Sequence, residues 1–134
     1  MYLVDTSVWI DSLRQNDNAA VRIFKWVLDR QMPFGITSAI YQEVLQGART
    51  DDDFNRLRDY LGTQRFYHPE DPVDSYAAAA NLFRVCRRNG LTIRSTLDCL
   101  IAQLAIEHDL TLIHNDRDFT AIAQVVPGLK LAAI

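Results

Sequence analysis

The sequence is poor in the residues that announce a special chemical environment. Its 134 residues hold two cysteines, Cys86 and Cys99, both inside helix-like patterns and without the close spacing of a metal site. This excludes a disulfide-stapled scaffold and a cysteine-rich zinc site. Both thiols are expected to be reduced packing residues of a cytoplasmic protein, with a single structural disulfide as the alternative. No run comes near the ~18 apolar residues needed to span a bilayer, so no membrane partner is expected. The opening MYLVD carries no basic stretch and no cleavage site, so no signal peptide is expected either. No repeat, low-complexity tract or linker interrupts the chain. Residues 1–134 are therefore read as one domain, of a size that buries about two-thirds of its unfolded surface.

Lysine is also scarce: only Lys25 and Lys130 stand against twelve arginines. A phospho-receiver domain needs a late lysine and an acidic pair after its first strand, and here Asp5 is alone. The net charge of −3 does not favour a polyanionic partner. Two features temper that. Arginine is the side chain suited to bidentate phosphate contacts, and carboxylates engaged with a metal no longer repel a polyanion.

What is present is an alternation of short apolar runs with helical patterns. Tyr2–Val4 is expected to be a strand, followed by a helix to Leu13 and a second over 19–32, where Val21, Phe24, Leu28 and Met32 recur at helical spacing. Pro33 ends it. Phe34–Ile36 reads as a strand, and Thr37 caps a helix that stops at Gly47. DDDF opens a further helix, its acids favoured by the positive end of the helix dipole. RFYH reads as a third strand. VDSYAAAANLFRVCRRNG is the clearest helix, with Arg87 and Arg88 in its last turn and Gly90 as a left-handed cap. A helix over 95–108, a strand LTLIH, a short helix at 119–124 and a closing strand in LKLAA complete the reading. Strands alternating with helices predict an α/β fold with a parallel sheet covered on both faces.

In such sheets ligands bind beyond the carboxyl ends of the strands, so acids leaving strands are candidate site residues. Asp5 leaves the first strand, where it reads equally as a helix N-cap. Asp116 and Asp118 leave the late strand. One helix needs one cap, so the second acid is in surplus. Glu43 lies inside a helix, with Ala39, Ile40, Val44 and Gly47 around it, at the border of the packed face. It is either a ligand or an edge glutamate reaching for solvent. Asp98 borders Ile101, Ala102 and Ala105, but Ser95-Thr96-Leu97-Asp98 also matches a capping box. Gathered at one sheet edge, each pair of these charges at 4 Å would repel by about 4 kcal/mol at an effective dielectric near 20. Such a cluster persists by sharing protons or by binding a multivalent cation. All-oxygen donors suit a hard ion, Mg²⁺ or Mn²⁺.

The segments MYLVDTSVWID, TSAIYQEVLQGA and LDCLIAQLAIEHDLTLIHNDRDF, in that order, resemble the successive motifs of PIN-domain ribonucleases, in particular the VapC toxins of VapBC toxin–antitoxin modules. The resemblance spans nearly the whole chain. It implies a PIN-like three-layer α/β/α sandwich around a mostly parallel sheet of four to five strands. It assigns the catalytic and metal-holding acids to Asp5, Glu43, Asp98 and Asp116, with Asp118 as a further metal acid. Thr6 and Ser7 match the small hydroxyl residues that shape the first loop. His114 departs from the pattern, which often has threonine there, and is read as a strand-end or substrate-side residue. The resemblance further implies a Mg²⁺- or Mn²⁺-dependent endoribonuclease, neutralised by a VapB-type antitoxin and forming a homodimer. One or two ions would activate water for in-line attack on an RNA phosphodiester. Arg14, Arg94 and Arg117 neighbour the motif segments and are candidates for steering the RNA backbone. The alternatives are a catalytically inactive PIN-fold binding module and a structure-specific DNA nuclease. The latter lacks here the helical arch or extra DNA-binding module it would need.

Overall fold

In the computed structural model, which describes residues 1–133, the elements run β1 (Tyr2–Val4), α1 (Thr6–Leu13), α2 (Ala19–Asp29), β2 (Phe34–Thr37), α3 (Ser38–Gln46), α4 (Asp51–Leu61), β3 (Phe66–Tyr67), α5 (Asp74–Arg88), α6 (Thr96–Glu107), β4 (Thr111–Ile113), α7 (Arg117–Val125) and β5 (Lys130–Leu131). The five strands form one parallel sheet in the order β3-β2-β1-β4-β5. The chain steps outward from β1 through β2 to β3, then crosses back to β4 and continues to β5. Because parallel crossovers are right-handed, the outward steps put α1–α4 on one face and the return puts α5–α7 on the other. The expected three-layer α/β/α architecture is the one found.

The sheet is short but thoroughly covered. Leu3, Val4, Ile36, Leu112 and Ile113 are fully buried, as expected of central parallel strands with helices on both sides. On the α1–α4 face Trp9 meets the edges of Phe24 and Tyr60 and tilts against Phe34. On the other face Phe119 and Ile122 of α7 close the core. The Cys86 and Cys99 thiols are free and buried, in keeping with packing roles.

Helix ends differ from expectation in an instructive way. The second helix stops at Asp29 rather than Met32, because Gln31 turns left-handed with φ of 52°. The Gln31 N–H then reaches Leu28 O and the Met32 N–H reaches Val27 O, the paired bonds of a Schellman cap. The same pair of bonds ends α1 at Gln15, α5 at Gly90 and α6 at Asp109. Only one of these four left-handed positions is a glycine. Of the three non-glycine stops, only the one at Gln31 ends its helix more than one residue short of the sequence reading. The final strand is shorter than LKLAA, and the final helix starts two residues before Phe119, for a reason that lies in the site.

Glycine is indispensable elsewhere. A Cβ on Gly35 of β2 would stand 2.5 Å from the Tyr67 ring and 2.6 Å from the Arg65 carbonyl oxygen. That carbonyl accepts the Ile36 N–H that helps join β2 to β3. Gly35→Ala is therefore expected to lower stability by about 1–3 kcal/mol through overpacking, read as a drop in denaturant midpoint at unchanged slope.

Candidate metal centre

The strand order reverses at β1, so β1 and β4 are neighbours whose following segments diverge, and a crevice opens beyond their carboxyl ends. Register pairs Val4 with Ile113, so the chain leaves both strands at the same level. The Asp5 N–H donates to Ile113 O at 3.0 Å and fixes the two exits side by side. The helix preceding β4 runs back along the sheet, which brings the first turn of α6, with Asp98, to the same rim. Glu43 reaches it from the second turn of α3.

The caps decide which acids are free. Asp5 occupies the N-cap position of α1 by backbone conformation, yet its carboxylate makes no capping bond. It receives instead the Ser7 hydroxyl at 3.4 Å. The capping box at α6 does not form either: Ser95 makes no side-chain bond, and the Asp98 carboxylate is left to the crevice. Asp116 is the true cap. Its Oδ1 accepts the Asp118 N–H at 2.9 Å, which starts α7 at Arg117. The surplus acid of the sequence is thus Asp118, and it is buried.

Donor oxygens of Asp98, Asp116 and Asp118 lie within 4.8 Å of one another. Asp5 and Glu43 stand outside that tightest set, but within electrostatic reach of it. The Asp5 carboxyl is pushed up to about 7, by burial first and then by the charges of Glu43 and Asp116, against the opposing hydrogen bonds from the Thr6 backbone and Ser7. The Asp98 carboxyl is also pushed up to about 7, by burial first and then by Asp5, Asp116, Asp118 and Glu43. All five acids therefore share one electrostatic site. Thr6 holds Glu43 in place, its hydroxyl donating to Oε1 at 2.9 Å. An all-carboxylate donor set at this spacing fits a hard divalent cation.

His114 is a strand-end residue rather than a substrate-side one. Its ring is buried edge-on against Phe119, and its Nδ1 accepts the Asp116 N–H at 3.1 Å, bracing the turn that carries the acids. Burial holds its pKa below the ordinary value, consistent with a neutral ring able to accept that bond.

The three arginines go to different places. Arg94 pairs with Asp116 and Asp118. Arg117 lines, with Arg94, a cleft beside Asp118. Arg14 lines a second cleft, of about 400 Å³ between α1, α3 and α4, together with Arg49 and Arg56. The latter two carried no motif that would have singled them out.

The raised carboxyls have a thermodynamic consequence. Between an unfolded pKa near 3.8 and a folded one of about 7, the native chain binds more protons than the unfolded chain. Metal-free stability from these groups is therefore highest near pH 4, falls as pH rises, and levels off above 7. Asp98→Asn is expected to be more stable than the wild type by about 1–3 kcal/mol at pH 8, with the difference vanishing toward pH 4. Thermal melts in chelator across that range check it; parallel curves for the two proteins would contradict it.

The PIN domain family profile matches residues 2–125. The chain is 35% identical over 126 residues, 93% of each chain, to VapC ribonuclease Mb1587 of Mycobacterium bovis and, with the same figures, to ribonuclease VapC11 of Mycobacterium tuberculosis. Its fold is similar to that in the crystal structure of VapBC2 from Rickettsia felis bound to a DNA fragment from their promoter, with a TM-score of 0.72, 18% identity, and coverage of 98% of this chain and 96% of that one. The family match over residues 2–125 and the relatives at 35% identity show that the chain belongs to the PIN-domain family, among its VapC members.

Proposed function

We propose that this chain is the toxin of a toxin–antitoxin module, a Mg²⁺- or Mn²⁺-dependent endoribonuclease that hydrolyses RNA phosphodiester bonds. The observation that carries the reading is the crowding of Asp98, Asp116 and Asp118 within 4.8 Å at the β1/β4 crevice, with Asp5 and Glu43 electrostatically joined to them. The ribonuclease names of the Mycobacterium relatives support the substrate class.

Asp5, Glu43, Asp98, Asp116 and Asp118 are the residues that would hold the ion or ions. When bound, a dication supplies a Lewis acid that acidifies water and offsets charge developing on the phosphate and leaving oxygen. The chain's own work is orientation. Ser7 steadies Asp5, Thr6 fixes Glu43, and His114 braces the Asp116 turn, so these donors are held in place before any ligand arrives. The N-termini of α1, α6 and α7 converge on the rim and add positive dipole ends toward an anionic substrate. Hydrolysis in this arrangement leaves 5′-phosphate and 3′-hydroxyl ends. Arg14 and Arg117, both exposed, are suited to steering the RNA backbone toward the rim.

An antitoxin partner fits the family, since the fold neighbours are toxin–antitoxin complexes. A homodimer fits the apolar cleft between α5 and α6, lined by exposed Tyr76, half-buried Phe83 and Leu97, and buried Leu100 at its floor. A cytoplasmic site of action goes with an RNA substrate; among the described residues no helix is long and apolar enough to cross a membrane.

Asp98→Asn is expected to cut cleavage of single-stranded RNA by about 100-fold or more while its circular dichroism matches the wild type. Single-stranded DNA and flap substrates run alongside test the substrate class. Wild-type RNA cleavage by Asp98→Asn would sink the assignment, and preference for flaps would make the protein a DNA nuclease.

A further inference from the structure

We propose that Arg94 is a positioning residue with two alternative anionic partners: the Asp116–Asp118 pair while the acids carry no cation, and an RNA phosphate in the adjoining cleft once a dication has displaced it. The inference rests on the nuclease reading above and deepens it.

Arg94 lies in the irregular segment between the Gly90 cap of α5 and the start of α6, next to buried Ile93. Its backbone N–H and its Nε both donate to Asp118 Oδ2 at 3.3 Å, and its Nη2 donates to Asp116 Oδ1 at 3.4 Å. One guanidinium thus spans two of the three closely spaced acids and supplies the positive charge that they lack. The contact is loose. Charge-assisted bonds of this kind are usually about 2.7–2.9 Å, and the side chain is 58% exposed, so solvent already screens the pair. The backbone N–H shares Asp118 Oδ2 with the side chain at the same 3.3 Å, so neither contact is tighter than the other. A dication among the same oxygens both competes for them and repels the guanidinium.

The released side chain has a place to go. It lines a cleft of about 630 Å³ with Thr92, Arg117, Asp118, Thr120 and Gln124. Hydroxyls, an amide and two guanidinium groups are the donors a phosphodiester backbone needs. The one anion there, Asp118, belongs to the cluster and is neutralised when the cation binds.

Calorimetric titration with Mn²⁺ separates this from a structural role. Arg94→Ala and Arg94→Gln, each checked for fold by circular dichroism, are expected to bind Mn²⁺ about two- to fivefold more tightly than the wild type, because an exposed competing cation has gone. At saturating Mn²⁺, both should raise KM for a short fluorogenic single-stranded RNA about five- to tenfold with kcat within about twofold. A structural tether would instead weaken Mn²⁺ binding. Unchanged or weaker Mn²⁺ affinity in both variants overturns the proposal alone, as does an unmoved KM. Absence of Mn²⁺ binding by the wild type overturns the nuclease reading with it.

Discussion

Mutual repulsion among carboxylates at the β1/β4 rim is the constraint to which the rest of the structure answers. Five acids from four separate segments meet where the strand order reverses, and two of them, Asp5 and Asp98, are pushed up to about 7, by burial first and by the neighbouring charges second. Holding such a group together costs stability in the metal-free chain. The cost is borne by a core of fully buried strand residues, by Trp9 among its aromatic neighbours, and by helices packed on both faces of the sheet. The strain is concentrated at one edge and the packing distributed everywhere else, which is the division of labour expected of a preorganised site.

Compensation at the rim comes in three physical forms. Three helix N-termini place partial positive charge near the acids. Uncharged hydrogen-bond props from Thr6, Ser7 and His114 fix where the side chains and turns lie without neutralising them. Arg94 alone brings a full positive charge, and it does so through long, exposed contacts. The first two are permanent features of the fold. The third is the most solvent-screened, with a side chain 58% exposed.

Most of the architecture was legible in the residues. Alternating apolar runs and helical spacings located all five strands and all seven helices to within a few positions, because period and punctuation are local properties. The errors lie where a non-glycine residue takes a left-handed cap, as at Gln31, or where a helix starts upstream of its apolar pattern, as α7 does behind Asp116. Asp5 and Asp98 each sat in a sequence context that fits helix capping equally well. Whether a carboxylate at an N-cap position turns back to its own helix or outward to a crevice depends on what stands opposite it. No local pattern carries that information.

Residue order by itself determined the secondary structure, the parallel α/β class and the identity of the acids, since these follow from hydrophobic period, turn chemistry and motif order along the chain. Only the tertiary structure decided that Asp98, Asp116 and Asp118 form the tight set, that Asp5 and Glu43 flank it, that His114 turns inward and that Arg94 lies across two of the acids. The reason is distance. Electrostatic coupling falls off within a few ångströms in space, and residues as far apart as Asp5 and Asp116, 111 positions, come into that range through the register of β1 against β4.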